Sequence, residues 1–192
     1  MLVGVGGSGR QSLSKLASKI TDIETYQIEI KKVYGMNEFR EDEKSLMRKV
    51  GVKGEMTSFV ITDNSIKQES FLEDINNILN TGEVPNIFNP EEKAEVMDGL
   101  RPVAKEEERC PEGTPAQFWA FFLERCRKNL HLIICFSPIG ETFRTRVRNF
   151  PSLVNCTTID WFQEWPPDAL ESVADRFLKE VHMEDDVRDN CV

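Results

Sequence analysis

The run Gly4-Val5-Gly6-Gly7-Ser8-Gly9-Arg10-Gln11-Ser12 constrains this chain more than any other segment. Glycine permits the tight, left-handed backbone turns that wrap main-chain N–H groups around an anion. A strand-like run, Met1–Val5, leads in. Gln11–Ile20 leads out, with Leu13, Leu16, Ala17 and Ile20 at helical spacing on one apolar stripe. Strand, glycine loop and helix N-terminus together form the setting of a phosphate-binding loop. Compared with the pattern Gly-x-x-x-x-Gly-Lys-Ser/Thr, Gly4 and Gly9 match, Arg10 replaces the lysine and Gln11 replaces the hydroxyl. Arg10 keeps the charge in a planar fork. Gln11 removes the side chain that ligates Mg²⁺, and Ser12 lies about 100° further round the helix, poorly aimed to substitute. Nucleotide binding is therefore favoured over efficient hydrolysis. Two alternatives stand beside it, an ordinary glycine-rich turn and a dinucleotide loop. The second needs an acidic residue closing the second strand, and Glu29 sits inside that strand.

Further strand-like runs fall at Tyr26–Ile30, Ser58–Asp63, His131–Ser137 and Cys156–Trp161. Most are almost continuously apolar, as parallel strands covered on both faces are. Helical periodicity recurs in Phe71–Leu79, ending at Thr81-Gly82, in Pro115–Asn129 and in Pro167–Val181. The alternation predicts an α/β fold with a central, mainly parallel five-stranded sheet flanked by helices in three layers. The segment from Gly82 to Thr114 is too long for a simple loop and predicts a short helix around Glu91–Gly99. Lys105–Arg109 reads as a solvated charged face.

The third strand-like run ends in Thr62-Asp63-Asn64. ATP-hydrolysing folds need a carboxylate for Mg²⁺ there, often followed by one that activates water. If Asp63 is the Mg²⁺ residue, the base position holds Asn64; if Asp63 is the base, the Mg²⁺ position holds Thr62. One carboxylate is missing in either register. Asp63 could instead cap a helix beginning near Ile66. Ser137, at the end of the fourth run, is a possible γ-phosphate sensor or a plain strand exit. Arg144, Arg146 and Arg148 either reach a neighbouring module's nucleotide as arginine fingers or decorate the surface, and the surface is favoured.

The segments GVGGSGRQSLSKLAS, SFVITDNSIKQESFLEDINNILNTGEVPNIF and NLHLIICFSPIGETFRTRVRNFPSLVNCTTIDWFQEWP resemble the fourth AAA+ module of axonemal dynein heavy chains, from about Leu2 to Leu178. The resemblance implies a P-loop AAA+ large subdomain over residues 1–181, with 182–192 starting a following helical segment. It implies ATP or ADP at Gly4, Val5, Gly6, Gly7, Ser8, Gly9, Arg10, Gln11 and Ser12. Cytoplasmic relatives read Asp-Glu where this chain reads Thr62-Asp63, which favours Asp63 at the base position. They carry a sensor asparagine at Ser137 and an arginine finger at Cys156. Hydrolysis at this site and activation of a neighbour are accordingly expected to be weak or absent, with no catalytic residue assigned and Mg²⁺ weakly supported. The implied partners are neighbouring AAA+ modules, the dynein complex and, through a stalk beyond this segment, microtubules of a cilium or flagellum. The chain is expected to be a fragment of such a motor.

Composition narrows the alternatives. The formal charge of −9 argues against a nucleic-acid binder, which needs a basic face for phosphates. No apolar run approaches the roughly 20 residues of a membrane span. Cys110, Cys126, Cys135, Cys156 and Cys191 show no paired spacing and read as reduced thiols. His131 and His182 are too scattered for a metal site.

Overall fold

The structure, a computed structural model, describes residues 1–30, 32–107, 113–179 and 181. Five strands carry it: β1 (Leu2–Gly4), β2 (Glu24–Gln27), β3 (Thr57–Thr62), β4 (Leu130–Phe136) and β5 (Asp160–Phe162). Their order in the sheet is β2-β3-β4-β1-β5, and every neighbouring pair is parallel. Parallel neighbours require crossovers. Here these include α1 (Arg10–Ile20), α2 (Met36–Arg48), α3 (Ser70–Thr81), α4 (Pro90–Glu106), α5 (Pro115–Asn129), α6 (Glu141–Asn149) and α7 (Ser152–Asn155), with α8 (Pro167–Leu178) following the last strand. The expected α/β class and five-stranded sheet are what is found.

β3 is buried at all six positions, which explains its unbroken apolar reading. Its pairing with β4 sets Thr62 beside Cys135, and β1 sets Leu2 beside that same Cys135. The C-terminal ends of β3, β4 and β1 thus meet at one edge of the sheet. The core lies mainly between β3, β4 and helices α2, α3, α4 and α5. Phe39 of α2 stacks on Phe71 of α3 with centroids 4.2 Å apart. Phe118, Phe121, Phe122 and Cys126 line the buried side of α5, as their spacing predicts. Gly82 ends α3 at φ 77°, a left-handed cap open to glycine.

Several boundaries differ from the sequence reading. β2 begins two residues earlier than Tyr26, because Glu24 and Thr25 pair with Thr57 and Ser58. β5 is only Asp160–Phe162; the preceding residues form α7 and its exit. The helix expected at Glu91–Gly99 runs from Pro90 to Glu106. It starts at a capping box in which Asn89 Oδ1 accepts from Glu92 N at 2.7 Å and Glu92 accepts in return from Asn89 N. Lys105 and Glu106 belong to its last turn, Glu107 pairs with Arg125 at 2.6 Å, and 108–109 lie outside the described residues. So do Cys110, His182, Cys191 and the segment 182–192.

The apolar stripe of α1 faces the wrong way for the expected role. Leu13, Leu16 and Ile20 are exposed, and Ser14 and Ser18 are the buried residues. Their hydroxyls donate to the carbonyls of Arg10 and Ser14, so small, internally bonded serines allow close approach to the sheet. A groove of about 670 Å³ opens beside Leu13 and Ala17, at the N-terminal ends of β1, β4 and β5. α8 likewise buries none of its residues, and Leu170 and Phe177 stand in solvent.

α2 and α6 have no counterpart in the sequence reading, and each carries a charge on its buried side. Glu43 of α2 is 1% exposed, on the stripe of Phe39, Leu46 and Met47. Neither of its carboxylate oxygens has a hydrogen-bond partner among the described residues. Burial, reinforced by Asp74, pushes its pKa to about 9 against the opposing pull of Arg40. Arg40 in turn pairs with Asp74 at 3.0 Å.

The folded chain therefore holds a proton on Glu43 that the unfolded chain releases above its ordinary carboxylate range. That contribution is fully present below the ordinary value of 4.5 and is lost as pH rises towards about 9, with a slope of at most about 1.4 kcal/mol per pH unit. Denaturant melts of Glu43→Gln should show a flatter decline of stability across this window than the parent chain shows. Parallel declines would mean that Glu43 is ionised in the fold.

Candidate functional site

The glycine loop hangs between the end of β1 and the start of α1. Gly7 and Gly9 take φ values of 78° and 83°, where a side chain is strained. Beside Gly6 and Gly7 the space a Cβ would take is open. Ser8 N donates to Val5 O at 3.3 Å, closing the turn, and Leu13 N donates to Gly9 O at 2.9 Å. Gly9 is the N-cap of α1 and supplies no side-chain acceptor, and the first turn carries no acidic residue. A helix start of this kind presents N–H groups and positive partial charge to an anion. Ser8 is buried, and its hydroxyl has no partner among the described residues. Left-handed glycines and an uncapped helix start are backbone features that suit the phosphates of a nucleotide.

Arg10 is the cation of the loop. Its guanidinium folds back, Nη1 donating to Phe136 O and Nη2 to Val5 O at 3.1 Å. These bonds pin the end of β4 to the loop and leave further N–H groups of the fork for an anion. Gln11 and Ser12 are exposed on the first turn of α1. Trp165, past β5, packs against the loop from the side: its Cζ2 lies 3.5 Å from the point a Cβ of Gly9 would occupy. Nothing in the local sequence singles out this tryptophan, because the contact depends on β5 lying next to β1.

One strand over, Asp63 opens a short 3₁₀ turn, Asp63–Ser65. Its carboxylate does not cap a helix; α3 starts only at Ser70. Oδ2 accepts from the backbone N–H of Ser137 at 2.7 Å, and Oδ1 accepts from Arg146 Nη1 at 2.9 Å. Arg146 reaches Glu69 with its other donors, Nη2 to Oε1 at 2.9 Å and Nε to Oε1 at 3.1 Å. Its guanidinium also lies 5.4 Å from the centroid of Phe136, a cation–π distance. Phe136 thus touches both arginines, Arg10 through its carbonyl and Arg146 through its ring.

Arg146 corrects the expectation that the three arginines of α6 are superficial. Arg144 and Arg148 are exposed, whereas Arg146 is 6% exposed. The i, i+2 spacing of the three sends the middle one to the opposite side of the helix. Ser137 contributes its backbone N–H to Asp63, while its hydroxyl accepts from Ile139 N at 3.4 Å. Thr62 is buried, and its N–H and C=O both bond Ser65 Oγ. Cys156 is exposed at the exit of α7.

Mg²⁺ fits this edge poorly. Gln11 has no hydroxyl, Thr62 has no carboxylate, and the carboxylates of Asp63 and Glu69 already share the Arg146 guanidinium. A cation placed there would meet the charge of Arg146.

A five-stranded parallel sheet of order β2-β3-β4-β1-β5, with a glycine loop joining β1 to α1, is the P-loop architecture of AAA+ proteins. The chain belongs to the family described as P-loop containing dynein motor region D4, which it matches over residues 1–192. It is 51% identical over 181 residues to dynein axonemal heavy chain 1 of Rattus norvegicus and 50% identical over 192 residues to dynein axonemal heavy chain 3 of Mus musculus. With the Dynein-1-beta heavy chain of the flagellar inner arm I1 complex of Chlamydomonas reinhardtii it shares 52% over 184 residues. These matches cover 94%, 100% and 95% of this chain. The chain spans only 4–5% of the length of those relatives.

The contact between β1 and β5 sets the loop's anchor. A Cβ on Gly4 would sit 2.7 Å from Phe162 Cβ and 2.8 Å from Phe162 O, and backbone cannot move aside cheaply. Gly4→Ala should cost on the order of 1–3 kcal/mol, read as a lowered denaturation midpoint. Gly6→Ala, in open space, should change it little.

Proposed function

We propose that this chain is a nucleotide-binding, regulatory AAA+ module of a dynein heavy chain. ATP or ADP is held at Gly4–Ser12, and turnover at the site is weak or absent. The observation that carries the reading is the loop itself: left-handed glycines, an uncapped helix start without acidic residues and Arg10 fall within the one run Gly4–Ser12. In this reading the phosphates lie over the loop, and Arg10 turns one face of its fork towards them. Asp63 stands at the base position and Ser137 at the sensor position. Both oxygens of Asp63 already accept from the chain's own N–H groups, and Thr62 offers no second carboxylate, so no group stands ready to activate water. Occupancy would act on the ring by fixing the ends of β1 and β4 relative to α6. The names of the relatives, axonemal dynein heavy chains and a heavy chain of a flagellar inner arm complex, support an axonemal dynein as the wider setting; neighbouring AAA+ modules and microtubules are the partners proposed with it. No helix among the described residues is long and apolar enough to cross a membrane.

Equilibrium titration with fluorescent ATP and ADP tests the site. Arg10→Ala should weaken binding about 10–100-fold, the scale of a lost charge-assisted contact. No binding by the parent chain, or binding indifferent to Arg10→Ala, would favour a ring segment that is purely structural. Phosphate release should stay well below about 1 s⁻¹, the low end of ordinary enzyme turnover; a rate above that points to a working ATPase.

A further inference from the structure

Asp63 and Arg146 carry a consequence for what the loop binds, resting on the nucleotide reading above. In a metal-dependent phosphate site, the carboxylate at this strand end attracts a divalent cation, which then offsets the phosphate charge. Here the carboxylate meets a guanidinium 2.9 Å away. That guanidinium is itself buried, held by Glu69 at 2.9 Å and set against the ring of Phe136. Arginine stays charged at all working pH values and its fork is preorganised. Withdrawing it would strand a buried charge, which is strongly unfavourable. At the two other expected ligand positions, Gln11 replaces the hydroxyl and the Thr62 hydroxyl is turned to Ser65 Oγ at 3.4 Å.

We propose that the loop takes its nucleotide as a metal-free polyphosphate, and that Arg146 is the specificity-determining residue, standing at Asp63 where Mg²⁺ would otherwise stand. The negative charge of the phosphates is met by the loop N–H groups, the start of α1 and Arg10. Asp63 and Glu69 share the one guanidinium, so Arg146 offsets part of the charge at Asp63 and occupies the side from which a cation would approach. Arg146 acts through Asp63 and does not touch the ligand.

Binding of fluorescent ADP and ATP to the full 192-residue chain, in Mg²⁺ and in EDTA, separates the possibilities. The parent chain should bind with dissociation constants within about threefold of one another in the two conditions. Weakening in EDTA of about tenfold or more overturns the proposal and leaves the nucleotide reading intact. Absence of binding in both conditions overturns the nucleotide reading, and this proposal with it. Arg146→Gln exposes the charge of Asp63, so its binding should weaken in EDTA and recover about tenfold with Mg²⁺. The charge-keeping Arg146→Lys should stay insensitive to Mg²⁺. An Arg146→Gln chain as indifferent to Mg²⁺ as the parent overturns the role of Arg146. Water-proton relaxation with Mn²⁺ and ADP on the parent chain gives a readout free of folding defects. Relaxation equal to that of Mn²⁺–ADP in solution supports the proposal, and an enhanced rate from protein-bound Mn²⁺ overturns it.

Discussion

The bond between the Asp63 carboxylate and the Ser137 N–H, at 2.7 Å, is the tie on which the site depends. It joins the ends of β3 and β4 just where the strands stop pairing with each other. Arg146 extends the tie to α6 and to Glu69, ahead of α3, and Arg10 extends it from β4 to the glycine loop through Phe136 O. Three stretches distant in sequence, the glycine loop, 63–69 and 136–146, are thereby held at one edge of the sheet. An interior charge pair adds little net stability, because desolvation offsets attraction, but removing one member is costly. The arrangement therefore acts as a positional constraint more than as a source of stability.

Two helices share an unusual construction, and it accounts for their invisibility to periodicity. α2 buries Phe39, Glu43, Leu46 and Met47; α6 presents Arg146 inward, with Phe143 and Val147 partly buried beside it. A charge in the middle of an apolar stripe breaks the pattern that marks an amphipathic helix. The two charges are accommodated differently. Arg146 is engaged by two carboxylates, whereas Glu43 has no hydrogen-bond partner among the described residues and is favoured in its protonated form. Burial of a carboxyl group without a partner costs least when the group is neutral.

The reverse case is equally instructive. α1 shows a clean apolar stripe, yet Leu13, Leu16 and Ile20 point outward and the serines point in. Periodicity identified the helix without identifying which face is covered within this chain. α8 repeats the lesson, since its apolar residues touch no core among the described residues. The chain spans 4–5% of the length of its relatives, and hydropathy does not distinguish an apolar face packed within the chain from one left exposed in it.

The sequence by itself determined the class of fold, the strand–loop–helix unit at Gly4–Ser12 and most of the strands. These depend on local chemistry: glycine conformations, apolar runs and spacing within a few residues. Family membership was legible too, because long segments resembled one module. Only the tertiary structure decided that Arg146 is internal and paired with Asp63, that Phe136 links the two arginines, and that Trp165 packs on the loop at Gly9. Each contact joins residues from different crossovers of a parallel sheet, and strand order, not sequence distance, determines which of them meet.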